Sequence, residues 1–310
     1  MAKVLVTGGA GFIGSHIVDA LLLDGHTIEV IDDLSSGDRT NLPDRIPLHT
    51  VDICSQEARE VVRSFLPDVL VHAAAQISVR ASMEDPAKDA QINVAGFVSL
   101  LSELRTIPGA KCVFLSTGGA IYGEQEVFPA TEDHPVNPES VYGLSKRVGE
   151  QYLAFWERVW GVKSTVLRLA NVYGPRQNPH GEAGVVAIFC KGLLQNRPLV
   201  INGTGEQTRD FVYVGDVARA VAQSVGGTHS GIFNIGTGVE TSVNTLVENL
   251  KRTSGTEGSI SYGPAKDGEQ QRSCINPQRA RAVFGWAAQV NFQEGIALTM
   301  DWFKNKQAKG

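Results

Sequence analysis

Cysteine is scarce in this 310-residue chain: there are four, Cys54, Cys112, Cys190 and Cys274, far apart and with no Cys-x-x-Cys pair. That excludes a disulfide framework and a zinc ribbon and points to a reducing, cytoplasmic setting. Long apolar runs are missing too. Nothing approaches the roughly 18 residues that a membrane-crossing helix needs, and the chain opens on a strand-like segment instead of a leader. Positive charge is not in excess, since 28 Lys and Arg against 33 Asp and Glu leave a net charge of −5. Nucleic acid and anionic membranes are therefore not attracted in general, and any anionic ligand must be held by local groups. The seven histidines show no paired ligand spacing, so no metal site is expected. Repeats are absent, and the only polar tract is the Lys304–Gln307 end.

Glycine is ordered where it matters. Lys3–Val6 reads as a buried strand, and Ile13, Ile17, Val18, Leu21 and Leu22 recur at helical spacing. Between them lie Gly8, Gly11 and Gly14. One glycine permits a tight turn, one admits a pyrophosphate to the backbone, and one lets helix and strand pack closely. The pyrophosphate then sits at the helix N-terminus, beside Phe12 and Ile13. A second apolar run, Thr27–Ile31, ends in Asp32-Asp33, where an acidic residue meets a ribose, and continues into the polar turn Leu34-Ser35-Ser36-Gly37. Two adjacent carboxylates repel a ribose 2′-phosphate, which favours NAD over NADP.

A third strand, Pro47–Val51, leads to Asp52-Ile53; Asp52 either receives adenine or caps the helix Ser55–Phe65. The fourth, Asp68–His72, runs into Ala73-Ala74-Ala75-Gln76, small residues that admit a flat ligand at the carboxyl edge of a parallel sheet. His72 reads as structural. Asp89–Leu104 reads as a helix on which Asn93 braces neighbouring backbone. A fifth strand ends at Ser116-Thr117-Gly118-Gly119, and after a proline-bearing loop come Tyr142 and Lys146. Four apart on a helix, they share a face. An ammonium near a phenol favours the phenolate, giving Tyr142 the chemistry of a general base.

Together, Thr7–Gly14, Asp32–Ser35, Ser116-Thr117, Tyr142-x-x-x-Lys146 and Asn171–Gln177 resemble the extended short-chain dehydrogenase/reductase superfamily, specifically its NAD-dependent nucleotide-sugar epimerases and dehydratases, over nearly the whole chain. The run Tyr173–Phe189 looks most like that of bacterial and archaeal UDP-glucose 4-epimerases. The resemblance implies an α/β fold: a Rossmann-type doubly wound parallel sheet over 1–171, a smaller interleaved C-terminal substrate lobe over 172–310, and return segments near 208–238. It implies tightly bound NAD, Tyr142 as base, Lys146 on the nicotinamide ribose, and Thr117 or Ser116 as the hydroxyl facing the sugar.

A UDP-sugar is the implied substrate, with Asn171 and Arg209 on its diphosphate and Val200 and Asn202 near uracil. The other reading of Arg209 is a salt bridge to Asp210 or Asp216. Lys266 or Arg272 would close over the diphosphate, since Gln271 stands where relatives carry arginine. Ser78, Arg80, Val185 and Val186 fall in loops that set the sugar. Arg80 or His180 would suit a uronate, so UDP-glucuronate and UDP-N-acetylhexosamine stay open beside UDP-glucose and UDP-galactose. Gly118 replaces a Ser or Thr common in relatives, and Gly119-Ala120 lack the acidic pair of 4,6-dehydratases, which argues against dehydration. A homodimer through the helices before Gly109 is the implied assembly.

Overall fold

The computed structural model describes residues 1–179, 184–265 and 270–309. Its strands are β1 (Lys3–Thr7), β2 (Thr27–Ile31), β3 (Leu48–His49), β4 (Val69–His72), β5 (Lys111–Thr117), β6 (Ser164–Leu169), β7 (Asn171–Tyr173), β8 (Leu199–Asn202), β9 (Thr208–Tyr213), β10 (Gly231–Ile235), β11 (Glu240–Ser242), β12 (Ile260–Gly263) and β13 (Arg272–Ser273). The helices are α1 (Phe12–Leu23), α2 (Gln56–Phe65), α3 (Val79–Glu84), α4 (Pro86–Ala90), α5 (Phe97–Leu104), α6 (Val141–Trp160), α7 (Val185–Leu194), α8 (Val214–Gly226), α9 (Val243–Ser254), α10 (Gln278–Phe284) and α11 (Phe292–Lys309).

The apolar runs form a seven-stranded sheet in the order β10-β6-β5-β4-β1-β2-β3, with every pairing parallel. Such strands are covered on both faces, which is why they read as continuous apolar runs. Ile17 and Leu21 of α1 join Val217 and Val221 of α8 in the core on one face. Val62 of α2, Leu100 of α5 and Leu153 of α6 fill the other. The strand order reverses at β1, between β2 and β4, the switch point outside whose carboxyl ends an open parallel sheet places its ligand. Of the expected return, β10 joins the large sheet beside β6, whereas β9 belongs to the smaller sheet.

A four-stranded sheet of β7, β9, β11 and β13 and the pair β8–β12 carry the smaller lobe. Its core lies among Val186 and Phe189 of α7, Leu246 of α9 and Ile296 and Met300 of α11. Two expectations are corrected. Asp89–Leu104 is not one α-helix, because a π-turn, Gln91–Gly96, separates α4 from α5. Asp52 does not cap α2; Ser55 does, its Oγ accepting from Ala58 N at 3.1 Å, while Asp52 Oδ1 accepts from Cys54 N. No helix of the described residues is long and apolar enough to cross a membrane.

Candidate active site

Because β1 and β4 are neighbours, the loops that follow them meet. Gly8 has φ +69°, and a Cβ there would lie 2.6 Å from Ala74 N; a Cβ on Gly14 would lie 2.0 Å from the Gly8 carbonyl oxygen. Only glycine fits either position. Gly11 N-caps α1 without a side-chain hydrogen bond, and no acidic residue lies in the first turn. An uncapped helix N-terminus beside Phe12 and Ile13, with glycine backbone against it, fits a dinucleotide pyrophosphate. Asp32 is buried and accepts from Ala10 N and Leu34 N, both at 2.9 Å, tying β2 to the glycine loop. Burial raises its pKa above the usual carboxylate value.

Asp33 is exposed, and its Oδ1 accepts from the amide and hydroxyl of Ser35. Gly37 closes the turn against Asp32 Oδ1. Across the switch point, Asn93 accepts from Gln76 N and donates to Gln76 O, both at 2.9 Å, which is the bracing role expected of it. Ala73–Ala75 are half-buried at the same edge, and Ile53 is buried beneath. His72 stacks on Phe97 and Phe114, and burial holds its pKa well below the usual value, so it serves as a structural ring.

The N-terminus of α6 brings the tyrosine to β5. Ser140 caps the helix, its Oγ accepting from Gly143 N at 3.1 Å, and Tyr142 N donates to Ser82 Oγ at 3.1 Å. Lys146 Nζ donates to Leu115 O at 3.0 Å and sits 6.0 Å from the Tyr142 ring centroid. Burial pushes the Lys146 pKa down to about 8, with Asp89 and Glu150 opposing. The Tyr142 pKa is raised, by burial first and by Asp89 second. This departs from the expected depression of the phenol by Lys146: the cost of desolvating a phenolate exceeds the attraction of an ammonium bound to a strand carbonyl.

Two further expectations are corrected. Ser116 Oγ donates to Glu150 Oε1 at 2.7 Å, and Glu150 receives Arg168 Nε at 2.9 Å and Nη2 at 2.7 Å. Arg168 Nη1 donates to Tyr122 Oη at 3.0 Å, and that hydroxyl donates to Asn234 at 2.7 Å. Ser116 thus belongs to a buried cluster behind the strand end, not to the reaction space. Successive side chains of a strand point to opposite faces, which leaves Thr117, its Oγ1 accepting from Ala120 N at 3.2 Å. Gly118 faces the core, where a Cβ would lie 2.7 Å from Ile275 Cδ1. A Cβ on Gly119 would have room, meeting Asn171 Nδ2 only at 3.8 Å and Thr117 Oγ1 at 3.9 Å.

In the smaller lobe, Asn171, Val185, Val186, Val200, Asn202 and Arg209 line one cavity of about 410 Å³. Two of its lining residues, Asn171 and Gln177, each hold a buried polar atom, Nδ2 and Oε1, without a hydrogen-bond partner. Arg209 Nη1 donates to Thr208 O at 2.8 Å. The carboxylates that the sequence offers it are occupied elsewhere, Asp210 by Thr237 and Gly238 and Asp216 by Arg219 and the backbone of Gln289 and Val290. A larger cavity, about 670 Å³, lies between the Leu34–Asn41 loop and Trp302 and Phe303 of α11; it touches Leu34, Ser36 and Gly37 but none of the catalytic candidates.

Other expected contacts are not brought to the 410 Å³ cavity. Ser78 spends its hydroxyl capping α3. Arg80 is exposed and pairs with Glu84 at 2.9 Å. Arg272 is corrected as well: pairing of β13 with β9 turns it to Glu240, which it grips at 2.9 and 2.5 Å, and its guanidinium covers the Phe128 ring at 3.8 Å. Lys266 and His180 lie outside the described residues. Sequence reasoning missed Glu150, Asp89, Ser82 and Gln177. A signal existed for one: Arg168 sits inside an apolar strand, so it demands a buried partner, and Glu150 follows Lys146 by four on the same helix face.

The model of the NAD dependent epimerase/dehydratase family matches residues 4–236. A UDP-glucose 4-epimerase of Mycolicibacterium smegmatis is 44% identical over 310 residues, spanning 98% of this chain and 99% of that protein. Among solved structures, the UDP-glucose 4-epimerase of Thermotoga maritima with UDP-glucose aligns at a TM-score of 0.96 and 43% identity, covering 98% of this chain and 99% of that one. The Thermus thermophilus UDP-glucose 4-epimerase in complex with NAD gives 0.93 and 43%, covering 97% and 99%.

Proposed function

Because this chain belongs to the NAD-dependent epimerase/dehydratase family, we propose that it is a UDP-sugar 4-epimerase that interconverts UDP-glucose and UDP-galactose through a transient 4-keto sugar. The observation that carries this reading is the meeting of Asn171, Val200, Asn202 and Arg209 around one cavity, with the buried Asn171 amide nitrogen lacking a partner in the protein. A guanidinium fork and an unpaired amide donor suit a diphosphate held by a net-negative protein. Gly8, Gly11, Gly14 and Asp32 hold NAD at the switch point of the sheet. Bound there, NAD would supply a reversible hydride acceptor for C4 and positive charge that favours a phenolate on Tyr142.

The protein's own part is proton transfer and positioning. Tyr142 Oη takes the proton of the C4 hydroxyl and later gives it back. Lys146, fixed on Leu115 O, supplies the nearby positive charge, and Thr117 orients the hydroxyl. The lobe cavity anchors the nucleotide while Gly119 leaves space beside Thr117, so the hexose can turn and receive hydride on its other face. Gly119 and Ala120 offer no acid or base for expelling water. A uronate-specific reading gains nothing from Arg80, whose charge is spent on Glu84.

We further infer a homodimer. Helix α6 is apolar on its outward side as well as its core side, with Leu144, Phe155 and Val159 all at least 40% exposed. A second copy of the same helix covers such a stripe. The four free cysteines, three of them buried, suit a reducing cytoplasm. Product analysis by NMR after incubation with UDP-galactose, without added NAD, is expected to show UDP-glucose. No product even with NAD supplied would overturn the reading.

A further inference from the structure

We propose that Asp89 is the positioning residue of the Tyr142–Lys146 pair: its buried carboxylate clamps Ser145, which lies between them, to the cofactor edge, and its charge sets their proton balance. The inference rests on Tyr142 acting as the base. Asp89 is 1% exposed. Its Oδ1 accepts from Ser145 Oγ at 2.6 Å, and its Oδ2 accepts from Gln76 Nε2 and Asn93 Nδ2, both at 2.9 Å. One side chain thereby joins three segments that the chain separates widely: the loop after β4, the π-turn and the first turns of α6. The π-turn is the kind of local irregularity that collects at functional sites.

The chemistry of the partners explains why the residue is acidic. All three are donors, and an ionised carboxylate is acceptor-only, whereas an amide would turn an NH₂ toward one of them. Burying such a charge costs several kcal/mol unless it is compensated. The compensation here is hydrogen bonding together with the field of Lys146. From α4, Asp89 faces the pair. From α6 itself, Glu150 faces Lys146, but its oxygens are engaged by Arg168, Arg147 and Ser116. From β4, His72 faces Lys146 as a neutral ring. Asp89 is thus the negative group not neutralised by a salt bridge that acts on both members. It supports the ammonium of Lys146 and opposes the phenolate of Tyr142.

Removing the charge makes both groups more acidic. In Asp89→Asn the acid and alkaline limbs of the kcat–pH profile are expected to move down together by about one pH unit, and Asp89→Glu restores them. A profile that loses height while both limbs stay in place would leave Asp89 a purely structural residue and overturn the proposal. Ultraviolet titration of tyrosinate, with Tyr142→Phe as the blank, follows the phenol without turnover. Failure of that shift sinks the role of Asp89, whereas full activity in Tyr142→Phe sinks the function reading itself. Should Asp89→Asn not fold, Ser145→Ala decides the clamp: it keeps the charge, so kcat is expected to fall about fivefold with the limbs unmoved, and an unchanged kcat overturns the clamp.

Discussion

At the ends of β5 and β6 the buried polar side chains satisfy one another, Ser116 to Glu150, Glu150 to Arg168, Arg168 to Tyr122 and Tyr122 to Asn234. In the cavity bounded by β7, β8 and β9 they do not, since Asn171 Nδ2 and Gln177 Oε1 have no partner. The contrast follows from what each region must do. A phenol proposed as the base and the ammonium beside it must hold one geometry, and the shell behind them is closed on itself. A cavity that binds a polar ligand keeps unspent hydrogen-bonding capacity, because a group already paired inside the protein gains little by pairing again.

The most severe way to break this contrast is to open the closed cluster. Arg168→Met strands the Glu150 carboxylate, whose side chain and that of Arg168 are each 1% exposed. Breaking a buried pair by removing one partner costs about 3–5 kcal/mol, to be read from chemical denaturation. A loss under about 1 kcal/mol would mean that the cluster is wet and no scaffold. Next in size is Tyr142→Phe, expected to lower kcat at least about a hundredfold. Thr117→Val is expected to cost more activity than Ser116→Ala, because Ser116 faces Glu150; steady-state kinetics in the reverse order would return Ser116 to the site.

Lys146 sharpens the comparison through pH. Its pKa is lowered to about 8 by burial, so the ammonium is present below that pH and lost as pH rises through it. With the phenol of Tyr142 already ionised under the positive charge of bound NAD, the rate is therefore expected to fall about tenfold per pH unit above the limb. In Lys146→Arg, whose guanidinium stays charged, that limb should disappear from the kcat–pH profile even if the maximum is lower. A limb that stays near 8 in Lys146→Arg would assign it to another group.

The glycine loop, the Asp32 strand end and the Tyr142–Lys146 spacing were readable because each depends on residues close in sequence. Fully buried parallel strands also announce themselves as apolar runs. What stayed hidden depends on contacts between distant segments. Ser116 and Thr117 are both hydroxyls at a strand end, and only the position of Glu150, 34 residues on, decides which faces inward. Gly118 and Gly119 look interchangeable until Ile275 fills the space beside one of them. The resemblance offers Arg272 to the diphosphate as an alternative to Lys266, but the pairing of β13 with β9 gives it to Glu240. Asp89 carries no local signal of its role, since its donors come from the loop after β4, the π-turn and α6.

The smallest expected effect is also the most direct test of the open half. Asn171→Leu removes an amide whose nitrogen has no partner in the protein, so the usual cost of losing a buried hydrogen bond does not arise. The free protein should keep its stability to within about 0.5 kcal/mol. With substrate present the accounting reverses under the proposed function, in which that amide donates to the diphosphate. KM for UDP-galactose is expected to rise about fivefold, near 1 kcal/mol, with kcat almost unchanged, the pattern of an interaction made equally in ground and transition states. A drop in stability with no change in KM would place Asn171 in the scaffold beside Arg168, and the distinction between a closed half and an open half would fail at that residue.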